Sequence, residues 1–61
     1  MNYLKMKELR EAHGMTQQEL GTKVYVTSQM INQIEHGVKK PSLDLLERLA
    51  DALGVSKVDL I

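Results

Sequence analysis

Met15-Thr16-Gln17-Gln18-Glu19-Leu20-Gly21-Thr22-Lys23-Val24-Tyr25-Val26-Thr27-Ser28-Gln29-Met30-Ile31-Asn32-Gln33-Ile34-Glu35 is the stretch whose reading decides the fold. Thr16 and Glu19 have the spacing of a capping box, in which hydroxyl and carboxylate satisfy the free amides of a helix start. Met15 and Leu20 bracket that box as a hydrophobic staple, so a helix starts at Gln17 and ends near Val24. Val26, Thr27 and Ile31 repeat the order of apolar residue, hydroxyl and apolar residue, which starts a further helix near Ser28. Only about Tyr25 and Val26 separate the two, too few for antiparallel packing and suited to the sharp crossing of a helix-turn-helix. A single interrupted amphipathic helix from Met15 to Glu35 is the competing reading, and the two cap signals inside it argue against it.

Working outward, Met6, Leu9 and Ala12 or His13 recur at helical spacing, which predicts a first helix over roughly Tyr3 to His13, ended by Gly14 in the left-handed conformation. Gly37 closes the helix that begins at Ser28. Val38, Lys39, Lys40 and Pro41 do not continue it, and Ser42 caps a fourth helix with Leu43, Leu46, Ala50 and Leu53 on one face, ended by Gly54. Val55, Ser56 and Leu60 repeat the staple and predict a short fifth helix. No stretch alternates as a strand does, so the predicted class is all-α, a five-helix single domain over residues 1–61.

The helix after the turn has two distinct sides. With Ser28 set at zero and steps of about 100° per residue, Ser28, Asn32, Gln29 and Gln33 fall at about 0°, 40°, 100° and 140°. Met30, Ile34 and Ile31 fall at about 200°, 240° and 300°, so an apolar arc faces the core and an uncharged polar face looks away from it. Amide side chains both donate and accept, as the base edges of the DNA major groove require, and a bidentate amide pair recognises adenine. The competing reading is a solvated helix face, for which Glu and Lys are the commoner choice. Met30 is read as a core-edge residue in preference to a contact for a thymine methyl group.

Composition sets limits on the rest. The 61 residues are 43% hydrophobic and 26% charged, with one Pro and no Cys, so the domain folds without disulfide or thiolate metal support and relies on packing and helix ends. No apolar run approaches the roughly 18 residues of a membrane span, and no signal-peptide stretch opens the chain, so a cytoplasmic protein is expected. Net charge is zero, unusual for a nucleic-acid binder. The charge is unevenly spread: Asp44, Glu47, Asp51 and Asp59 outnumber Arg48 and Lys57 at the C-terminal end, whereas the residues before Leu43 carry a basic excess.

The motif residues Met15 to Leu20, Val26, Thr27, Ile31 to Gly37, Pro41 and Ser42, with Ala52-Leu53-Gly54-Val55-Ser56 further on, carry a resemblance over about Leu4 to Ile61. The sequence resembles the DNA-binding domains of lambdoid phage repressors and Cro proteins and the xenobiotic-response-element-type bacterial regulators. That resemblance implies a compact lambda-repressor-like fold and a transcriptional regulator, here a repressor, with the third helix in the major groove. It also implies a homodimer on double-stranded operator DNA. On that pattern Ser28, Gln29, Asn32 and Gln33 read bases. Gln17 is the favoured phosphate contact, with Gln18, Thr27, Lys39 and Lys40 also on the DNA backbone, and Arg10 and Glu35 form a structural pair. The bland alternatives are capping for Gln18 and Thr27 and loop solubility for the lysines. Gly21 and Tyr25 depart from the pattern, which has Ala at the first position and often Gly at the second. Gly21 eases close approach at a cost of about 1 kcal/mol in helix propensity, and Tyr25 stands where a positive φ is needed.

Dimerisation is assigned to the surface around the fifth helix, with Val55, Val58, Leu60 and Ile61, some of which must close the core instead. His13 and His36 have neither Cys nor carboxylate at ligand spacing, so no metal, cofactor or small-molecule ligand is expected. No acid pair, Ser/His/Asp set or phosphate loop appears, which argues against an enzyme. A protein-interaction module such as an antitoxin or adaptor is the second function class. The neutral charge supports it, and the lack of aromatic and Arg anchors on the third helix opposes it.

Overall fold

In a computed structural model describing residues 1–61, the chain forms α1 (Tyr3–Ala12), α2 (Gln17–Val24), α3 (Ser28–Glu35) and α4 (Leu43–Leu53), then a closing 3-10 turn (Lys57–Leu60). The helix starts follow local chemistry. Asn2 Oδ1 accepts from Lys5 N, Thr27 Oγ1 from Met30 N and Ser42 Oγ from Leu45 N, at 3.1, 3.1 and 3.2 Å. At α2 the exchange is reciprocal: Glu19 N donates to Thr16 Oγ1 (3.0 Å) and Thr16 N to Glu19 Oε1 (2.9 Å). Each bond satisfies an amide that the first turn of a helix leaves without a partner.

The tight turn is made by Tyr25, at φ 66° and ψ 36°, in the left-handed region where a side chain is unfavourable. Val26 N then donates back to Gly21 O at 2.9 Å. A Cβ on Gly21 would lie 2.7 Å from the carbonyl oxygen of Val26, so the missing side chain lets the turn fold down onto α2. Arg48 on α4 donates from Nη1 to Val24 O at 2.8 Å, tying the end of α2 to α4.

Met6, Leu20, Val24, Ile31, Ile34, Leu45, Leu49, Ala50, Leu53 and Leu60 form one core drawn from every element. Asn2 N donates to Leu60 O at 2.7 Å, joining the start of α1 to the closing turn. No helix is long and apolar enough to cross a membrane.

Two sequence expectations need correction. On α4 the buried strip is Leu45, Leu49 and Leu53 with Ala50, whereas Leu46 is half-buried and Leu43 is exposed. Residues four apart drift only about 40° round a helix, so the Leu45 series stays over the core, while Leu43 lies in the first turn, at the edge of that arc. The expected fifth helix is a 3-10 turn. Its bonds, Asp59 N to Ser56 O (3.0 Å) and Ile61 N to Val58 O (3.4 Å), both close rings of three residues' separation. Burial of Leu60 and the Asp59 carboxylate, which accepts from Ser56 N and Oγ, are satisfied by a piece too short to propagate an α-helix.

Candidate nucleic-acid interface

Burial of Ile31 and Ile34 beneath α3 decides which way its other side points. Ser28, Gln29 and Asn32 are exposed and Gln33 is half-buried, all on the side away from the core, while Met30 is half-buried and packs against the core edge. The four uncharged polar residues thus share one open face, with apolar anchors behind them.

Where the end of α3 meets α1 and the entry to α2 lies a buried ion pair. Arg10 Nε donates to Glu35 Oε2 at 2.6 Å and Arg10 Nη2 to Glu35 Oε1 at 3.1 Å, with side-chain exposures of 10% and 1%. Arg10 Nη1 donates to Met15 O at 2.7 Å, so the guanidinium also holds the residue that leads into α2. The hydrogen bond to Glu35 pushes the Arg10 pKa above its ordinary value against the opposing cost of burial, with the charges of Glu35 and Glu11 acting in the same sense as the bond. The two partners bring their charges and their planar geometry together, which is the arrangement a desolvated pair needs.

Gln17 is half-buried, and its amide is turned into the protein. Nε2 donates to Glu35 Oε1 at 3.1 Å, and Oε1 receives Asn32 Nδ2 at 3.5 Å. Gln17, the residue expected to contact a phosphate, thus has its side-chain amide engaged at both ends within the domain. The main-chain N–H groups of Gln17 and Gln18 are a separate matter: as the first amides of α2 they precede the first possible intrahelical bond and lie at the positive end of the helix dipole.

Thr27 uses its hydroxyl as an acceptor for Met30 N, which leaves its O–H hydrogen available. Lys39 and Lys40 are exposed in the loop after α3. That loop is anchored from behind: Gly37 takes φ 72° and faces the Tyr3 ring, while Val38 N and Lys39 N both donate to Gln33 O, at 2.9 and 3.2 Å. Gln33 therefore links the polar face of α3 to the basic loop through its backbone.

Of the residues assigned to a dimer surface, Leu60 is fully buried and belongs to the core, Val55 is half-buried, and Val58 and Ile61 are each 72% exposed. Leu60 is withdrawn from that surface, because an i to i+3 turn points it inward beneath Asn2. The histidines bind main chain: His13 Nε2 donates to Leu53 O at 2.9 Å across the domain, and the His36 Nδ1 donates to Asn32 O at 2.8 Å within its own helix end. Sequence reasoning missed Arg48 on Val24, His13 on Leu53 and Gln17 on Glu35, for which no local pattern exists.

Comparison with known proteins gives a consistent result. The helix-turn-helix family model matches residues 6–60. An uncharacterised HTH-type transcriptional regulator of Methanothermobacter thermautotrophicus is 43% identical over 54 residues, 88% of this chain and 78% of that protein. One of Sinorhizobium fredii is 38% identical over 53 residues, 87% of this chain and 69% of that protein. YgzD of Bacillus subtilis, also an HTH-type regulator, is 39% identical over 56 residues, 92% and 85% of the two chains. Among solved structures, a complex of SinR with SinI contains a chain that superposes with TM-score 0.91 at 29% identity, covering all of this chain and 60% of that one.

Proposed function

This chain belongs to the helix-turn-helix family of DNA-binding transcriptional regulators, which are not enzymes, and on that premise we propose that it is a sequence-specific repressor whose residues 1–61 act as the DNA-binding domain. The observation that carries the reading is the open face of α3, where Ser28, Gln29, Asn32 and Gln33 stand opposite two buried isoleucines. Placed in the major groove, these side chains contact base edges, each good bidentate contact contributing about 1–3 kcal/mol of discrimination. The main-chain amides of Gln17 and Gln18, the Thr27 hydroxyl and the Lys39 and Lys40 ammonium groups hold the phosphates on either side. Two copies occupy half-sites about 34 Å apart on a pseudo-palindromic operator, meeting through the exposed Val58 and Ile61. The zero net charge is compatible with this, since the acidic excess lies in residues 43–61 and the basic loop residues flank α3.

Selection of bound duplexes from a random library, followed by titration at two salt concentrations, tests the proposal. Gln29→Ala and Gln33→Ala are expected to relax base preference, and Lys39→Ala to weaken all sequences alike with a salt slope shallower by about 1. A second reading, in which the fold holds another protein as an antitoxin or adaptor does, draws support from the neutral charge and from the likeness to SinR in complex with SinI. Absence of salt-sensitive duplex binding selects that reading instead.

A further inference from the structure

Among the four residues of the open α3 face, Asn32 is the one whose side chain is bonded within the monomer, and the bond traces back to the buried ion pair. Glu35, held by Arg10, is an acceptor only. Its Oε1 takes a hydrogen bond from Gln17 Nε2, so the Gln17 amide has a single admissible orientation: nitrogen inward, oxygen toward α3. That oxygen accepts from Asn32 Nδ2, so the Asn32 amide is oriented in its turn, with one N–H directed at Gln17. The edge left free on Asn32 carries Oδ1 and the remaining N–H. That acceptor and donor side by side match the N6 amino group and N7 of adenine, the bidentate pair an amide makes in the major groove. At 3.5 Å the last link is at the long end for a hydrogen bond, so it steers the amide and leaves it able to settle on a base.

We infer that Gln17 is a positioning residue for specificity: it relays the acceptor character of the buried Glu35 carboxylate to Asn32 and presets Asn32 to read adenine. The inference rests on α3 being the base-reading helix. It assigns the Gln17 side chain an inward task distinct from a phosphate clamp, which the main-chain amides of α2 can supply without it.

The test is Gln17→Met, which keeps the length and the half-buried packing but can neither donate nor accept. Binding is profiled over a randomised duplex pool beside the wild-type protein, Asn32→Ala and the double variant. Asn32→Ala identifies the base position that Asn32 faces. At that position Gln17→Met is expected to lower the preference for adenine about 2- to 10-fold, the value of one modest hydrogen bond, with other positions unchanged. In the Asn32→Ala background Gln17→Met is expected to have no further effect on the profile. A uniform loss across all sequences makes Gln17 a phosphate contact and overturns the inference, as does an unchanged profile. A wild-type protein with no sequence preference removes the α3 reading itself, and the relay falls with it. An independent readout needs neither variant nor DNA: in ¹⁵N relaxation the Asn32 side-chain amide is expected to be more rigid than that of Gln29, and equal mobility overturns the relay.

Discussion

Tyr25 illustrates a cost carried by a single residue. Its φ of 66° puts a Cβ where the left-handed region disfavours one by roughly 1–2 kcal/mol, and with 83% of the residue exposed little packing offsets that cost. Glycine removes the clash but adds freedom to the unfolded chain, so Tyr25→Gly is expected to stabilise the domain by about 1 kcal/mol net, raising Tm by roughly 4–8 °C. Thermal denaturation by circular dichroism checks this, and an unchanged or lower midpoint rejects it. The Arg10–Glu35 pair behaves in the opposite way. Glu35→Ala leaves a buried guanidinium without its partner, a loss of about 3–5 kcal/mol, comparable to the whole stability of so small a domain. Urea titration is expected to find this variant largely unfolded and the joint replacement Arg10→Met with Glu35→Leu folded, because the second change removes the stranded charge.

The helices are delimited by their caps, and one cap is also a pH sensor of stability. Glu19 closes the box at the start of α2, and the Thr16 backbone N–H, followed by the Thr16 hydroxyl and then the charge of Lys23, holds its carboxyl below the ordinary value. A folded-state pKa below the unfolded one means the contribution is complete above the unfolded value and is lost as pH falls through the folded one. Wild-type Tm is therefore expected to decline on acidification into the carboxylate range more steeply than that of Glu19→Gln, which retains an acceptor but no titrating group. Parallel pH profiles of the two proteins count against this account. The caps at Thr16, Thr27 and Ser42 were legible in the sequence because each bond spans three residues, and Thr16 and Glu19 face each other whatever the rest of the chain does. Leu43 and the closing turn were not, since periodicity gives the angle of a residue round a helix and not where the neighbouring helices stop.

At the scale of the molecule, the proposed pairing of two copies draws on the apolar residues left outside the core. Val58 and Ile61 remain exposed on the closing turn while Leu60 between them is buried. Val58→Glu is expected to leave the fold intact and to lower affinity for a paired operator on the order of tenfold, as loss of a central interface contact does, with binding to one half-site unchanged. Gel-shift titration on duplexes carrying one or two half-sites measures both, and an equal effect on the two duplexes places the dimer surface elsewhere. The candidate base-reading residues were legible because both faces of α3 follow from one helical repeat. The engagement of Gln17 was not, because its partner lies 18 residues away on another helix.

From the amino-acid order alone came the approximate extents of the four α-helices, within an expected count of five, the short turn between α2 and α3, and the polar side of α3. Those features depend on hydrogen bonds and periodicities that act within about one helical turn. Tertiary structure decided that the fifth segment closes as a 3-10 turn, that Leu60 goes in and Leu43 stays out, and that Arg48 and His13 brace main chain 24 and 40 residues away. It also decided that Gln17 faces a buried carboxylate. Such contacts exist only after helices distant in sequence have packed, when burial leaves each polar group a single set of partners within reach.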